Sequence, residues 1–331
     1  MRVCLIGEHR GYLDEGMRKV CFYLARSLAA HHDILSLDIR DFHKKDFWRS
    51  LRSFKPEIIH YLHGPTMKSF VLLKLASLSS PKSRTIISAI HPSLNPFSFR
   101  FIGFLKPDLI LVQSKRSEDL FRKLGCKTEF LPSGVDIERF KPASAEQKIG
   151  LRDKYGINKG KFVILHVGPI KRGRNLEVLK EMQRGDNQVL IVGATSPGIE
   201  QNIQRELENA GCLLWNRYFE NIEEIYALAD CYIFPVPFKS NPVSIEMPLS
   251  VLEAMSCNLP IITTRFGALP RVFSEDKGLY FAETRMDFLN QLEVVKKGTK
   301  VETRKKALDY SWDKTIKRLH EIYAQLMSDH Q

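Results

Sequence analysis

The residues of this chain best placed to do chemistry lie between Ser244 and Pro260, in SIEMPLSVLEAMSCNLP, just before the apolar run Ile261-Ile262-Thr263-Thr264. The pattern reads as loop, helix and buried strand. Pro248 suits a first helical position, where a missing N–H costs nothing. Leu249, Leu252 and Met255 then form one apolar face. Glu253 falls within the first turns, near the backbone N–H groups of Leu249 and Ser250, which have no partner inside the helix. Such a terminus carries about half a positive charge and attracts anions. A phosphate cradle with one carboxylate beside it suits a ligand that has both phosphates and ribose hydroxyls. The same residues admit a plainer reading, because Ser250-x-x-Glu253 also matches a capping box.

A second group lies in LHVGPIKRGRNLEVL, Leu165 to Leu179, where a strand runs into a basic loop that opens a helix. Lys171, Arg172 and Arg174 gather cations where a diphosphate would need its charge neutralised. The alternative is a solvated basic turn. In the first half of the chain, GYLDEGMRKVCFYLARSLA places Gly16 at a helix start, where backbone can approach a ligand closely. His91 ends the strand-like ISAIHP and can hydrogen-bond a hydroxyl; His63, in IIHYLHGP, is a weaker candidate of the same kind.

PLSVLEAMSCNLPIITT resembles the signature segment of the retaining glycosyltransferases of family four, which have the GT-B fold. In that family two glutamates, eight positions apart, flank a nucleotide-sugar. The second corresponds to Glu253, which the resemblance assigns to the ribose. The first corresponds to Ile245, and the nearest acid is Glu246. In the basic loop the family's arginine position is Pro169, and Arg172 stands at its lysine position, with Lys171 and Arg174 close enough to compensate. Gly16 corresponds to a glycine near the donor phosphates and His91 to a histidine of the sugar site. LPSGVDIERFKP, Leu131 to Pro142, is similar to the family's interdomain motif; Gly134 is expected to turn there with positive φ, and Asp136 to bond nearby backbone. YSWDKTIKRLHEIYAQLM, Tyr310 to Met327, is similar to its terminal helix.

The elements needed to hold these residues are visible in the pattern. Apolar runs alternate with helical periods from Arg2 to Phe281, which argues for two doubly wound parallel sheets with helices on both faces. The expected fold is α/β of GT-B type: two Rossmann-like domains that face each other across a cleft. We assign 1–142 to an acceptor-side domain, 143–309 to a donor-side domain, and 310–331 to a helix returning to the first. The boundary is read from the polar segment Lys141–Gly150.

Composition is that of a globular protein, with 44% hydrophobic and 27% charged residues among 331. No apolar run approaches the roughly 18 residues of a spanning helix, and MRVCLIG reads as a buried strand rather than a signal. Six scattered cysteines suggest reduced, buried thiols in a cytosolic setting. No metal site is read, and the absence of a DxD sequence argues against metal-bridged chemistry. The net charge of +12 is concentrated early, with 23 lysines and arginines against 14 acids up to Phe140. Asp41–Lys55 and Pro96–Lys106 interleave aromatics with cations, as interfacial segments do, although core-facing amphipathic helices look alike.

The resemblance therefore implies transfer of a sugar from a nucleotide-diphosphate donor to a saccharide or lipid-linked acceptor hydroxyl, with retention and with no cofactor beyond the co-substrate. Arg172, Glu253 and His91 are the expected catalytic residues. Gly16, Lys171, Arg174, Glu246, Pro248, Leu249 and Ser250 are the expected donor contacts. The setting is cytoplasmic, at an anionic membrane face reached through the basic first half. A non-catalytic nucleotide-sugar-binding scaffold and another GT-B enzyme such as an epimerase remain open. No recognition motif for nucleic acid accompanies the charge.

Overall fold

A computed structural model of the protein describes residues 1–195, 199–237 and 246–328. The chain divides into two compact units, one of Met1–Ser133, Pro242–Met247 and Trp312–Gln331, the other of Gly134–Asn241 and Pro248–Ser311.

The first unit is built on strands β1 (Arg2–Gly7), β2 (Asp33–Asp38), β3 (Ile58–Tyr61), β4 (Arg84–Ala89), β5 (Leu109–Val112) and β6 (Thr128–Phe130). All pairings are parallel, in the order β2-β1-β3-β4-β5-β6. Strands such as Ile58–Tyr61 and Leu109–Val112 are buried at every position, which is why they read as unbroken apolar runs rather than alternations. Helices α1 (Gly16–Leu28), α2 (Lys45–Phe54), α3 (Met67–Ser79), α4 (Phe99–Ile102) and α5 (Lys115–Lys123) link them. Phe47 and Leu51 of α2, Phe70, Leu73 and Ala76 of α3, Ile102 of α4 and Phe121 of α5 share one core with Ile59, Ile87 and Ile110 of the sheet. The aromatic segment around α2 is thus largely core-facing.

The second unit repeats the plan. Its strands are β7 (Phe162–Val167), β8 (Asn187–Val192), β9 (Leu213–Trp215), β10 (Cys231–Phe234), β11 (Ile261–Thr263) and β12 (Leu279–Phe281). The parallel order is β12-β11-β10-β7-β8-β9, the doubly wound order of a dinucleotide-binding sheet. Its helices are α6 (Ala145–Lys154), α7 (Glu177–Met182), α8 (Gln201–Asn209), α9 (Ile222–Ala227), α10 (Leu249–Ser256), α11 (Leu269–Val272), α12 (Arg285–Lys296) and α13 (Thr303–Ala307). Its core joins Ile164, Ile191 and Ile233 to Leu179, Phe288 and Leu292.

The last helix, α14 (Trp312–Ser328), belongs to the first unit. Ile316, Leu319, Tyr323 and Leu326 supply its buried face, and Trp312 stacks on Tyr23 with ring centroids 5.2 Å apart. The Tyr323 hydroxyl lies 2.6 Å from His60 Nδ1, while His60 Nε2 lies 2.7 Å from Ser88 Oγ, so a buried histidine ties α14 to two strands.

Three local features correct or add to the sequence reading. Within the polar stretch 141–150, Ser144 and Gln147 form a reciprocal capping box that starts α6. Gly134 is not among the glycines with positive φ. The short strand β9 goes unread in the sequence, since its three residues, apolar but only partly buried, are too few to show a strand's period. Asp136 does what its type suggests: its Oδ1 accepts from the backbone N–H groups of Glu138 and Arg139.

Candidate functional site

In a doubly wound sheet the crevice opens where successive strands depart in opposite directions, beyond their carboxyl ends. In the second unit that point lies between β7 and β10. The loops after both strands, and the helix that follows β10, contain the cations and the glutamate singled out above.

The loop after β7 begins at Gly168, where a Cβ would come within 3.3 Å of His166 Nε2. His166 is buried in the strand; its Nδ1–H donates to the Ile233 carbonyl at 2.9 Å, and Nε2 has no partner among the described residues. Burial pushes its pKa down to about 4, so the ring is neutral at pH 7. Lys171 is partly buried and Arg172 exposed, with the Arg172 backbone N–H on Glu200 Oε1 at 3.0 Å. Gly173 (φ +80°) and Asn175 (φ 55°) then turn the chain through two left-handed residues, and Asn175 Nδ2 fixes the turn by donating to the Pro235 carbonyl at 3.2 Å.

Between them, Arg174 is directed inward. Desolvation lowers its pKa, and it lies within electrostatic reach of Tyr232 and His166. No carboxylate compensates it among the described residues. Lys171, Arg172 and Arg174 therefore share one loop, and Arg174 is the one whose pKa desolvation lowers, with no counterion among the described residues. It is the natural member of the group to receive an anion.

Helix α10 begins beside this loop. Pro248 is its N-cap, with φ −70° and ψ 110°, rather than its first helical residue. Its fixed φ serves equally there, because the extended ψ leads the chain into the helix from outside. The capping box is not formed, since no side chain caps the helix. Instead the Ser250 hydroxyl hydrogen-bonds Tyr232, whose own hydroxyl donates to the Val167 carbonyl at 3.3 Å. The N–H groups of Leu249 and Ser250 are left as first-turn donors. Glu253 is 4% exposed, and its Oε2 accepts from the Tyr226 hydroxyl at 2.8 Å. Burial, and then the neighbouring Glu253 charge, push the Tyr226 pKa well up, so it remains a donor. The structure thus brings Arg174, Pro248, Leu249, Ser250 and Glu253 together around Tyr232, with Lys171 and Arg172 preceding Arg174 in the same loop.

Glu246 falls elsewhere. Its backbone N–H donates to the Ile90 carbonyl at 3.0 Å, next to His91. Its carboxylate accepts from Ser114 N at 3.2 Å, from Ser114 Oγ at 2.7 Å and from Ser117 Oγ. An anion at the start of α5 complements the helix dipole, although burial still raises its pKa. Glu246 is thus an internal anchor of the first unit, not the free donor-binding acid expected of it. Ile245 lies outside the described residues.

His91 follows β4 and Gly16 opens the helix after β1, both at the carboxyl end of the first sheet. The His91 backbone N–H donates to the Gly64 carbonyl at 2.7 Å, and Gly16 opens α1. Between β1 and β3, the first sheet's own reversal point, Glu8 receives Arg18 Nε at 3.3 Å and lies 3.3 Å from His63 Nδ1. That second approach is not aligned as a hydrogen bond. Arg18 also faces Asp14 and Glu15, so this cation is internally neutralised. Tyr226, Tyr232 and His166 were not singled out in sequence. A tyrosine inside an apolar strand or helix reads as core, and only the fold shows where its hydroxyl ends.

Residues 161–294, which span β7 to the body of α12, match the family described as glycosyl transferases group 1. A GDP-mannose-dependent monoacylated alpha-(1-6)-phosphatidylinositol monomannoside mannosyltransferase of Corynebacterium glutamicum is 29% identical over 175 residues, covering 50% of this chain and 45% of that protein. A sulfoquinovosyl transferase of Arabidopsis thaliana is 25% identical over 243 residues, covering 68% and 46%. The chain thus spans about half the length of these curated relatives. Among solved structures, a sucrose-phosphate synthase of Thermosynechococcus elongatus superposes with a TM-score of 0.79 at 14% identity, covering 99% of this chain and all of that one. The Anabaena protein HepE, solved with UDP-glucose, gives 0.75 at 15% identity, covering 98% and 100%. Two doubly wound units and the solved structures that superpose on them lead to one assignment: the chain has the GT-B fold, and its segment 161–294 is similar to the glycosyl transferases group 1 family.

Proposed function

We propose that the protein transfers a sugar from a nucleotide-diphosphate donor to an acceptor hydroxyl with retention of configuration and without a metal. One observation carries the reading: a partly buried arginine and first-turn donors of α10, neither with a partner among the described residues, converge with a buried glutamate at the reversal point of the second sheet. In this reading Arg174 receives the diphosphate, helped by Lys171 and Arg172 at the rim. Because these charges are fixed before reaction, they stabilise the leaving group as its charge develops. Leu249 and Ser250 N–H groups complete the cradle, and Glu253, oriented by Tyr226, holds ribose hydroxyls. His91 serves the sugar side, and Gly16 lets backbone approach the donor phosphates. The protein's part is positioning and charge stabilisation, with the departing phosphate taking the acceptor proton.

The names of the relatives support a glycolipid or saccharide acceptor, and GDP-mannose and UDP-glucose are the first donors to try. The proposed setting is the cytoplasmic face of a membrane; no helix of the described residues is long and apolar enough to cross one. The test is transfer from UDP-glucose or GDP-mannose to a glycolipid panel in EDTA, with the product anomer read by NMR. Turnover with retention supports the reading. Donor binding without turnover on any acceptor would favour a binding scaffold instead, an outcome that the capture of Glu246 by α5 makes worth testing.

A further inference from the structure

Helix α3 is apolar on two faces. Phe70, Leu73 and Ala76 enter the core of the first unit, whereas Val71, Leu75 and Leu78, at i, i+4 and i+7, are exposed, Leu78 by 66%. A helix that is apolar all round is normally enclosed, and here one of its faces has no cover within the described residues. The connection from β4 to β5 repeats the arrangement. Phe99, Ile102 and Leu105 pack on the same core as α3, while Phe97, Phe101 and Phe104, again at i, i+4 and i+7, are exposed, Phe97 by 67% and Phe104 by 83%. Both elements cover the same face of the first sheet, so their outward residues belong to one layer.

Charge indicates what covers them. From Met67 to Lys106 the chain holds six cations (Lys68, Lys74, Lys82, Arg84, Arg100 and Lys106) and no acid. Among the described residues only Arg84 is paired, with Asp108 at 2.9 Å; the other five are exposed. Arg100 lies over the Phe97 ring, 5.1 Å from its centroid. Large apolar side chains interleaved with cations, without acids, are the composition of a surface that sinks aromatics into the acyl boundary and meets anionic headgroups. A protein partner with acidic residues would match the cations but leave so many exposed phenylalanines without a purpose.

We infer that the outer face of α3 and the Phe97–Phe104 segment form a docking surface for an anionic lipid bilayer. This deepens the acceptor side of the proposed function and rests on it for its purpose, but bilayer binding is measured without turnover. The experiment is co-sedimentation of the full chain with vesicles of phosphatidylcholine alone and of phosphatidylcholine mixed with phosphatidylglycerol. The expected result is binding to the anionic vesicles only, released at about 1 M NaCl, where the screening length falls to roughly 3 Å. Phe97→Ser/Phe101→Ser/Phe104→Ser and Lys74→Glu/Lys82→Glu should each weaken partition by about tenfold or more. Met286→Ser, an exposed apolar residue of the second unit, should not. Melting temperature and donor affinity should match wild type in all three variants, which separates failure here from failure of the transferase reading. No vesicle binding, equal binding to neutral vesicles, or binding that both patch variants retain would overturn the inference. So would a wild-type dimer in solution that the phenylalanine variant converts to monomer, because a second copy would then be the cover.

Discussion

Replacing Arg174 with methionine should raise the stability of the free protein and lower its affinity for donor, two changes of opposite sign from one substitution. The free protein holds this guanidinium partly out of water, its pKa lowered by desolvation, with no described carboxylate to offset that cost. Full burial of an ion costs several kcal/mol, so relief at a partly buried site is worth about 1 kcal/mol. Methionine is long and flexible enough to fill the space, which keeps the packing loss small. With donor present, the variant loses a charge-assisted contact to phosphate, worth about 1.5–3 kcal/mol. That corresponds to a roughly 10- to 150-fold rise in Kd. Urea denaturation measures the first quantity, and calorimetric titration with UDP-glucose and GDP-mannose the second. Arg174→Lys should fall between, since it keeps the charge without the forked donor geometry. A variant that is less stable in the free state and binds donor as wild type would show that Arg174 is a structural cation, and the reasoning would fail.

Further outcomes follow from single contacts. Tyr226→Phe removes the hydroxyl that meets Glu253 at 2.8 Å and should cost about 1.5–3 kcal/mol in urea denaturation; donor affinity should fall with it if Glu253 must be oriented. Gly7→Ala would put a Cβ 2.5 Å from Cys21 Sγ and 3.2 Å from Leu62 Cβ, so a loss of about 1–3 kcal/mol is expected. Adding Cys21→Ala to Gly7→Ala should recover part of that loss, which a double-mutant cycle would read. Acid should unfold the protein through its buried histidines. His60 and His166 have pKa values pushed down by burial to about 3 and about 4. Above pH ~6.5 neither state binds the extra proton, and below it only the unfolded state does. Stability should therefore be flat near neutrality and fall as pH drops from about 6.5 towards 4 and then 3. A His60→Asn variant should show a shallower acid limb in denaturation at stepped pH.

Much of the fold is legible in the sequence because buried parallel strands must be nearly all apolar. The runs at Arg2–Gly7, Phe162–Val167, Cys231–Phe234 and Leu279–Phe281 coincide with strands. Boundaries set by hydrogen bonds are harder to read. Pro248 reads as a first helical residue and is an N-cap, and 141–150 reads as a polar boundary segment although Ser144 and Gln147 cap a helix there. At the site, the cations and Glu253 are legible from residue type and spacing. The ordering among them is not, because the burial of Arg174 depends on Gly173 and Asn175 turning its side chain inward and on Tyr232 arriving from another strand. Glu246 shows the reverse case. Its type suggests a ligand contact, and only the long-range meeting with Ser114 and Ser117 reveals that the carboxylate is engaged.

The central claim is that the crevice bounded by Arg174, α10 and Glu253 binds a nucleotide-diphosphate sugar. Calorimetric titration of UDP, GDP, ADP and their sugars into wild-type protein and Glu253→Ala, in EDTA, tests it most directly. The account predicts metal-independent binding of one nucleotide family to wild type, weakened about tenfold or more in Glu253→Ala as a buried hydrogen-bonded acid is lost. No binding by any of the three families, or equal binding by Glu253→Ala, would contradict it.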